Sequence, residues 1–229
     1  MSKPDSPNIP KRRLPRRVDL DGDGVESIHA GRPIKADLLG LDLGDGPMVV
    51  KDFGGKSAWV RLIGRLQIAR ELRAYRALGG IAGVPVLFGR VDHWAIAIER
   101  VHGVALGMPP EYENDGPARF AQLNRIVSEI HERGVLHFDL RAVRNVMVQG
   151  DGRVFVIDFA SAVRFRPGGF LHRMFFRMLS RTDRAAVVKW KKLLNGGPLT
   201  PEESKLADHH RRWRGRWPFN KVRRTPPSF

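Results

Sequence analysis

A proline-free stretch of helix-forming residues, 57–78, stands between two groups of short apolar stretches, and this arrangement limits the fold more than any other feature. Three such stretches precede it and two follow it, at residues 25–30, 34–43, 48–51, 84–91 and 94–101. Their length and their bounding turn residues are typical of β-strands, whereas 57–78 has apolar residues on a helical spacing and ends at Gly79. The first hundred residues therefore predict an antiparallel sheet that carries one helix.

The next part of the chain favours helix and then a hairpin. Leu123, Ile126 and Ile130 mark one buried face of a helix that ends near Gly134. Two apolar stretches follow, at residues 146–148 and 154–157, and the turn between them is Gly-Asp-Gly. In such an antiparallel pair, the residue before the first strand and the residue after the second lie side by side. We therefore expect Asn145 and Asp158 to be neighbours.

Composition limits the classes of protein. With 229 residues and 42% apolar side chains, the chain can bury one core or form two lobes around a cleft. It has no cysteine, which excludes a disulfide partner, a thiolate metal site and a cysteine nucleophile. The net charge of +16 is concentrated at both ends, and no apolar segment follows the basic N-terminus. We predict a basic disordered arm over 1–18 and an anionic partner for the C-terminal third.

Five residues stand in an order that suits phosphoryl transfer: Lys51 in a strand, Glu71 in the helix, then Asp139, Asn145 and Asp158. A lysine can hold the negative phosphates, and it needs a carboxylate to orient it. Glu71 is the only acidic residue between Phe53 and Val91. Carboxylate and amide oxygens bind Mg²⁺, and a further carboxylate can position an acceptor hydroxyl. The hypothesis is that all five meet in one cleft.

The same residues lie in motifs that resemble those of the protein-kinase-like superfamily. Met48-Val49-Val50-Lys51 is similar to the strand-lysine motif, His137-Phe138-Asp139-Leu140 to the catalytic-loop motif, Asp158-Phe159-Ala160 to the metal-binding motif and residues 99–103 to the segment that joins the lobes. The resemblance implies an α+β, two-lobed fold with a small sheet lobe over 19–100 and a reduced helical lobe over 101–229. It also implies ATP and Mg²⁺ as cofactors. Asp139 would be catalytic, Lys51, Glu71, Glu99 and Val101 would bind the nucleotide, and Asp158 and Asn145 would bind the metal.

Within that superfamily the chain is similar to small atypical bacterial kinases, the RIO-like group and the lipopolysaccharide core kinases. Few residues separate Asp158 from the Pro167-Gly168-Gly169 break, so a peptide-docking region has little room. Three features depart from the usual pattern. A glycine-rich loop before Lys51 is missing, with Arg32 as an electrostatic substitute; Asn145 falls six residues after Asp139 rather than five; and alanine stands at position 160.

Several interpretations of function stay open at this stage. The expected activity is transfer of phosphate from ATP to a hydroxyl of a lipid-linked sugar or another membrane-associated molecule, with a protein serine or threonine as a further acceptor. The alternatives are a pseudokinase scaffold without turnover and a RIO-like protein that binds nucleic acid or the ribosome. We expect a cytoplasmic protein, peripheral on the inner face of a bacterial membrane, with an anionic lipid or phosphorylated glycolipid as partner.

The segment 170–179 bears on this location. At helical spacing its apolar side chains share one face, and Arg173 and Arg177 lie outside that face. We expect this face to pack on the core of the helical lobe, and contact with a membrane interface is the alternative. Trp213, Trp217 and Phe219 lie among arginines and suggest a second anchor of the same kind.

Overall fold

The computed structural model describes residues 13–22, 24–30, 33–108 and 115–214, with side chains described as far as residue 207. Within these ranges the protein is mixed α and β, with a five-stranded antiparallel sheet in the N-terminal part and most of its helices later. The predicted fold class is therefore confirmed, and the arrangement is consistent with two kinase-like lobes.

The sheet of the N-terminal lobe places Lys51 on its central strand. The strands are Glu26–His29 (β1), Asp37–Asp42 (β2), Pro47–Asp52 (β3), Leu87–Arg90 (β4) and Ala95–Glu99 (β5). They are hydrogen-bonded in the order β1-β2-β3-β5-β4. Met48 and Val50 of β3 are fully buried on one face. Since side chains alternate along a strand, Val49 and Lys51 point to the other face, toward the cleft.

Helix α1, Ala58–Leu78, covers that other face. Its buried residues include Ile68, Leu72 and Tyr75, as the helical spacing predicts. Leu62, which the same spacing placed with them, is exposed instead. Gly64 allows the close approach, because a Cβ at this position would lie 2.4 Å from Cγ of Phe53. The helix is thus fixed tightly against the end of β3.

Residues 13–18, predicted as part of a disordered arm, are held against the sheet lobe. A short 3₁₀ turn spans Arg17–Leu20, and Leu20 is buried. Nη1 of Arg17 donates to Oδ2 of Asp52 at 2.6 Å, and the same guanidinium also binds Asp92. The prediction of disorder was wrong for these residues because carboxylates at two strand ends pair with Arg17. Residues 1–12 lie outside the described part of the chain.

The C-terminal lobe combines helices with three short strand pairs. The helices are Gly116–Glu132 (α2), Arg177–Leu179 (α3), Arg181–Leu193 (α4) and Pro201–Arg214 (α5). The strands are Val104–Ala105 (β6), Val135–Leu136 (β7), Val146–Val148 (β8), Val154–Val156 (β9) and Val163–Arg164 (β10). β8 pairs with β9 as predicted, β6 adds to β8, and β7 pairs with β10. Ile126 and Trp190 share one apolar cluster with Ile68 of α1, so the lobes have a common core.

The segment 170–179 does not pack as expected. It forms a π-helical turn at His172–Phe176 that continues into α3. Five large side chains of the face predicted to be buried are exposed, namely Phe170, Leu171, Met174, Phe175 and Met178. The segment is held instead by Phe176, whose ring contacts His131, Phe165 and His172. The spacing of 100° grouped these five side chains on one face, but that face lies on the surface instead of against the core.

Candidate active site

Lys51 lies between two carboxylates that come from different lobes. Its Nζ is 2.5 Å from Oε1 of Glu71, in the middle of α1, and 2.9 Å from Oδ1 of Asp158, just after β9. The Glu71 side chain is 1% exposed, whereas Asp158 keeps about a third of its surface open to the cleft. Three side chains that the sequence predicted to meet therefore form one charged cluster.

The electrostatics of this cluster fix its charge state at neutral pH. Burial disfavours the ammonium of Lys51, but the carboxylates of Glu71 and Asp158 outweigh burial and raise the pKa of Lys51 above its ordinary value. Burial likewise disfavours the Asp158 carboxylate, and the Lys51 ammonium outweighs it and lowers the pKa of Asp158. Burial raises the pKa of Glu71, against the attraction of Lys51. Lys51 is thus a cation beside an ionised Asp158, as binding of a metal and a polyphosphate requires.

The loop between β7 and β8 places Asp139 beside Asn145. Nδ2 of Asn145 donates to the main-chain oxygen of Asp139 and to its Oδ2, both at 2.9 Å. Asn145 is buried, while the Asp139 side chain is 42% exposed and has a guanidinium nitrogen of Arg144 at 3.7 Å. The main chain of Asn145 also accepts from the N–H of Ile157 at 2.9 Å. This bond brings Asn145 next to Asp158, as the hairpin predicts.

Asp183, at the start of α4, holds this loop through hydrogen bonds to its main chain. Its carboxylate accepts from the backbone N–H of His137 at 2.7 Å and of Phe138 at 2.9 Å, and His131 Nε2 lies 3.1 Å away. Phe138 has φ of 62°, a conformation that is unfavourable for a bulky residue and persists only where the surroundings enforce it. Asp183 is 1% exposed, so its charge serves the loop rather than solvent.

His137 links the loop to the segment after β9 that carries Asp158. Its Nε2 lies 3.0 Å from the carbonyl oxygen of Ile157, and the N–H of Asp139 lies 3.2 Å from its Nδ1. A carbonyl only accepts and an N–H only donates, so the ring carries its proton on Nε2 and Nδ1 accepts. These bonds make His137 a structural residue of the loop.

An aromatic stack joins α1 to the same segment. The ring of Phe159 lies 5.1 Å from that of Tyr75 and 4.9 Å from that of His137. Asp158, which precedes Phe159, has φ of 65°, a left-handed conformation that aspartate tolerates better than most residues. Burial of Phe159 therefore fixes the turn from which the Asp158 carboxylate reaches Lys51.

A cleft of about 830 Å³ between the lobes contains most of these groups. Its lining includes all but one of the predicted site residues, namely Lys51, Glu71, Glu99, Val101, Asn145 and Asp158. Asp139 is outside that lining and borders it through Asn145 and Arg144. Oε2 of Glu99 accepts from the N–H of Val86 at 2.9 Å, so this carboxylate holds the main chain just before β4. Arg32, suggested as an electrostatic substitute for a glycine-rich loop, lies outside the described residues.

The residues present fit a magnesium–nucleotide complex. Mg²⁺ uses one or two protein oxygens and completes its octahedron with phosphate and water. Asp158 offers a carboxylate, and Asn145 offers an amide oxygen because its two hydrogen bonds use only the nitrogen. Lys51 supplies the adjacent cation.

The sequence prediction missed Asp183 and Tyr75 as residues of the site. Only Tyr75 gave a signal, because it lies four residues after Glu71 on the same helix.

The comparisons with known proteins agree with this geometry at a coarse level. The chain is 38% identical over 56 residues to sperm motility kinase 3A and to sperm motility kinase 2B, both from Mus musculus. The matched residues are 24% of this chain and 11% of each mouse protein, so the chain spans only a small part of these relatives. No family model matches the chain. The similarity supports a generic kinase-like relationship.

Proposed function

We propose that this protein is a phosphotransferase that uses ATP and Mg²⁺ to phosphorylate a hydroxyl group. The observation that carries the proposal is the Lys51–Glu71–Asp158 cluster, which faces the same cleft as Asn145 and lies beside Asp139. A lysine held by one carboxylate next to a second carboxylate is the arrangement that a metal-bound polyphosphate needs.

Each residue has a role in this proposal. Lys51 holds the non-transferred phosphates, and Glu71 orients it. Asp158 and Asn145 hold the metal, which when bound neutralises phosphate charge. Asp139 accepts a hydrogen bond from the acceptor hydroxyl and takes its proton. Its exposed side chain leaves room for an acceptor from solvent. The main chain of Glu99 and Val101, at the edge of the cleft between the lobes, would meet the base of the nucleotide.

Nucleotide binding tests this proposal directly. Titration calorimetry of wild type and Asp158→Ala with ATP, each with and without Mg²⁺, isolates the metal dependence. We expect Mg²⁺ to tighten binding to wild type and to have no effect on the variant. If Mg²⁺ changed the affinity for ATP equally in the two proteins, Asp158 would not be a metal ligand, and the proposed chemistry would be wrong.

For the acceptor we favour a membrane-associated molecule such as a lipid-linked sugar. The support is the exposed apolar segment 170–178, together with the basic C-terminal third, which would concentrate an anionic glycolipid. A peripheral position on the inner face of a bacterial membrane and a finer relationship to RIO-like or lipopolysaccharide core kinases belong to the same proposal. No helix in the described part of the chain is long and apolar enough to cross a membrane.

A pseudokinase scaffold is the second candidate, and one observation favours it. Asn145 donates to the carboxylate of Asp139, which occupies one of the oxygens that an acceptor would use. A protein that binds nucleotide and shows no phosphate transfer to any acceptor, including water, would support the scaffold. Binding to nucleic acid, the third interpretation, predicts affinity for RNA that falls steeply with salt.

A further inference from the structure

The outer face of α1 carries an exposed stripe of large apolar side chains in its first two turns. Its members are Trp59, Leu62, Ile63 and Leu66, which are 69%, 52%, 48% and 66% exposed. Their spacing of three and four residues puts them on one face, opposite Ile68 and Tyr75. A contiguous apolar patch of this kind on a protein surface marks an interaction site more often than chance exposure does.

The exposed charges that α1 itself carries are all positive. Arg65, Arg70, Arg73 and Arg76 are exposed on the same helix. The one acidic residue of α1 is Glu71, which is buried against Lys51 and contributes nothing to the surface. The complementary partner is therefore apolar and anionic at once.

A second patch on the described surface has the same chemistry. The exposed apolar residues of segment 170–178 stand among Arg173 and Arg177, and no acidic residue occurs between Asp158 and Asp183. A bilayer with anionic headgroups offers both apolar and negative groups, so this one kind of partner suits each of the two patches.

We propose that the α1 stripe docks this protein on an anionic membrane leaflet, with Trp59, Leu62, Ile63 and Leu66 inserted at the level of the headgroups. The arginines further along α1 then lie over the anionic lipid phosphates, with their aliphatic stems along the interface. The inference rests on the proposed function only for its purpose, which is to bring the cleft to a membrane-associated acceptor. The contact itself is tested without acceptor or nucleotide.

Sedimentation with vesicles measures the docking. The full chain is mixed with vesicles of phosphatidylcholine alone or with phosphatidylglycerol, and the bound fraction is compared between wild type and Leu62→Ser/Leu66→Ser. Val18→Ser/Ile34→Ser is the matched control, because these two aliphatic residues are 67% and 72% exposed and lie outside α1. We expect the α1 variant to lose about tenfold in partitioning to anionic vesicles, since two apolar side chains no longer insert. The control should bind as wild type does.

Tryptophan quenching locates the contact. Lipids brominated near the headgroup should quench wild type more than Trp59→Phe, because only Trp59 among the tryptophans belongs to the α1 stripe. The proposal is overturned if the α1 variant binds anionic vesicles as well as wild type, if vesicles without anionic lipid bind equally, or if the stripe proves to join two copies of the chain in light scattering without lipid.

The two proposals fail separately. Leu62→Ser/Leu66→Ser should retain binding of ATP with Mg²⁺, and Asp158→Ala should retain binding to vesicles. Loss of vesicle binding in Asp158→Ala would show that docking depends on the site and would overturn the independent contact proposed here.

Discussion

Two groups of residues at the cleft are stabilised in different ways. In the first, Lys51, Glu71 and Asp158 form a largely buried group of opposite charges that joins the lobes, and each residue affects the ionisation of the others. In the second, Asp139 is 42% exposed, and the loop that carries it is held through backbone groups by Asp183. The comparison predicts that a change in the charged cluster disturbs folding and binding together, whereas a change at Asp139 disturbs turnover alone.

The largest expected effect is on turnover in Asp139→Asn. Loss of the proton acceptor should lower phosphate transfer, or ATP hydrolysis where no acceptor is present, by about 10²–10⁴-fold. Binding of ATP with Mg²⁺ should stay as in wild type because Asp139 lies outside the charged cluster. The free energy of unfolding should change by no more than about 0.5 kcal/mol, since the side chain is exposed.

Turnover and binding must be measured on the same preparations. Ser161→Ala is a matched control, because this exposed side chain lies after the metal-binding motif and outside the cleft lining. If Asp139→Asn kept its turnover, Asp139 would lose its catalytic role, whereas absence of turnover in wild type itself would support the scaffold interpretation.

Lys51→Met should disturb the charged cluster and so affect folding and nucleotide binding together. It leaves Glu71 buried without a cation, with the backbone N–H of Phe159 still bound to its carboxylate. Breaking a buried ion pair in this way typically lowers the free energy of unfolding by about 3–5 kcal/mol. Nucleotide binding should weaken as well. Lys205→Met, an exposed lysine on α5, is the control and should be nearly neutral. Urea unfolding measures both, and an unchanged free energy of unfolding in Lys51→Met would mean that the ion pair with Glu71 does not stabilise the fold.

The same variant gives a pH test. In Lys51→Met no cation opposes the effect of burial, which raises the pKa of Glu71. The folded variant therefore takes up a proton on Glu71 above the ordinary pKa of a glutamate, and it becomes relatively more stable in acid. In wild type the lowered pKa of Asp158 contributes stability above its ordinary pKa that is lost as pH falls through the lowered value. Both effects reduce the difference in free energy of unfolding between wild type and Lys51→Met as pH falls. A difference that does not change with pH would contradict them.

The charged cluster was predictable from sequence, whereas the support of the Asp139 loop by Asp183 was not. Lys51, Glu71 and Asp158 occur in a recognisable order, and strand and hairpin rules are enough to bring Asn145 next to Asp158. Asp183 gave no such signal, because an aspartate in the first turn of a helix is an ordinary capping residue. Its role depends on which backbone N–H groups point at it, and only the folded loop shows that. The exposure of 170–178 was missed for a related reason, since helical spacing groups side chains on one face but does not show whether another element covers that face.

Asp183→Ala tests the hidden support. Removal of the carboxylate leaves the buried N–H of His137 without its acceptor, at about 1–3 kcal/mol of stability, and the half-buried N–H of Phe138 loses its acceptor as well. The loop should relax from the unfavourable backbone angle at Phe138, so that turnover falls more than nucleotide binding does. Asp151→Ala, in the exposed turn between β8 and β9, is the control and should change stability little. Unchanged turnover in Asp183→Ala would show that Asp139 is positioned without this support.

The smallest expected effect belongs to Tyr75→Phe, which separates the ring from the hydroxyl. The ring packs on Phe159 and so connects α1 to the segment that carries Asp158, whereas the hydroxyl is buried near the Lys51 cluster. Burial and the negative charge of Glu71 raise the pKa of Tyr75, so the phenol should stay neutral in alkali until the protein unfolds, as phenolate absorbance will show. Removing the hydroxyl should therefore change the free energy of unfolding by less than about 1 kcal/mol, whereas Tyr75→Ala leaves a cavity beside Phe159 and should lower it by about 3–5 kcal/mol. If Tyr75→Phe instead weakened binding of ATP with Mg²⁺ as much as Lys51→Met does, the hydroxyl would be a working member of the charged cluster, and the division between the two groups of residues would have to include it.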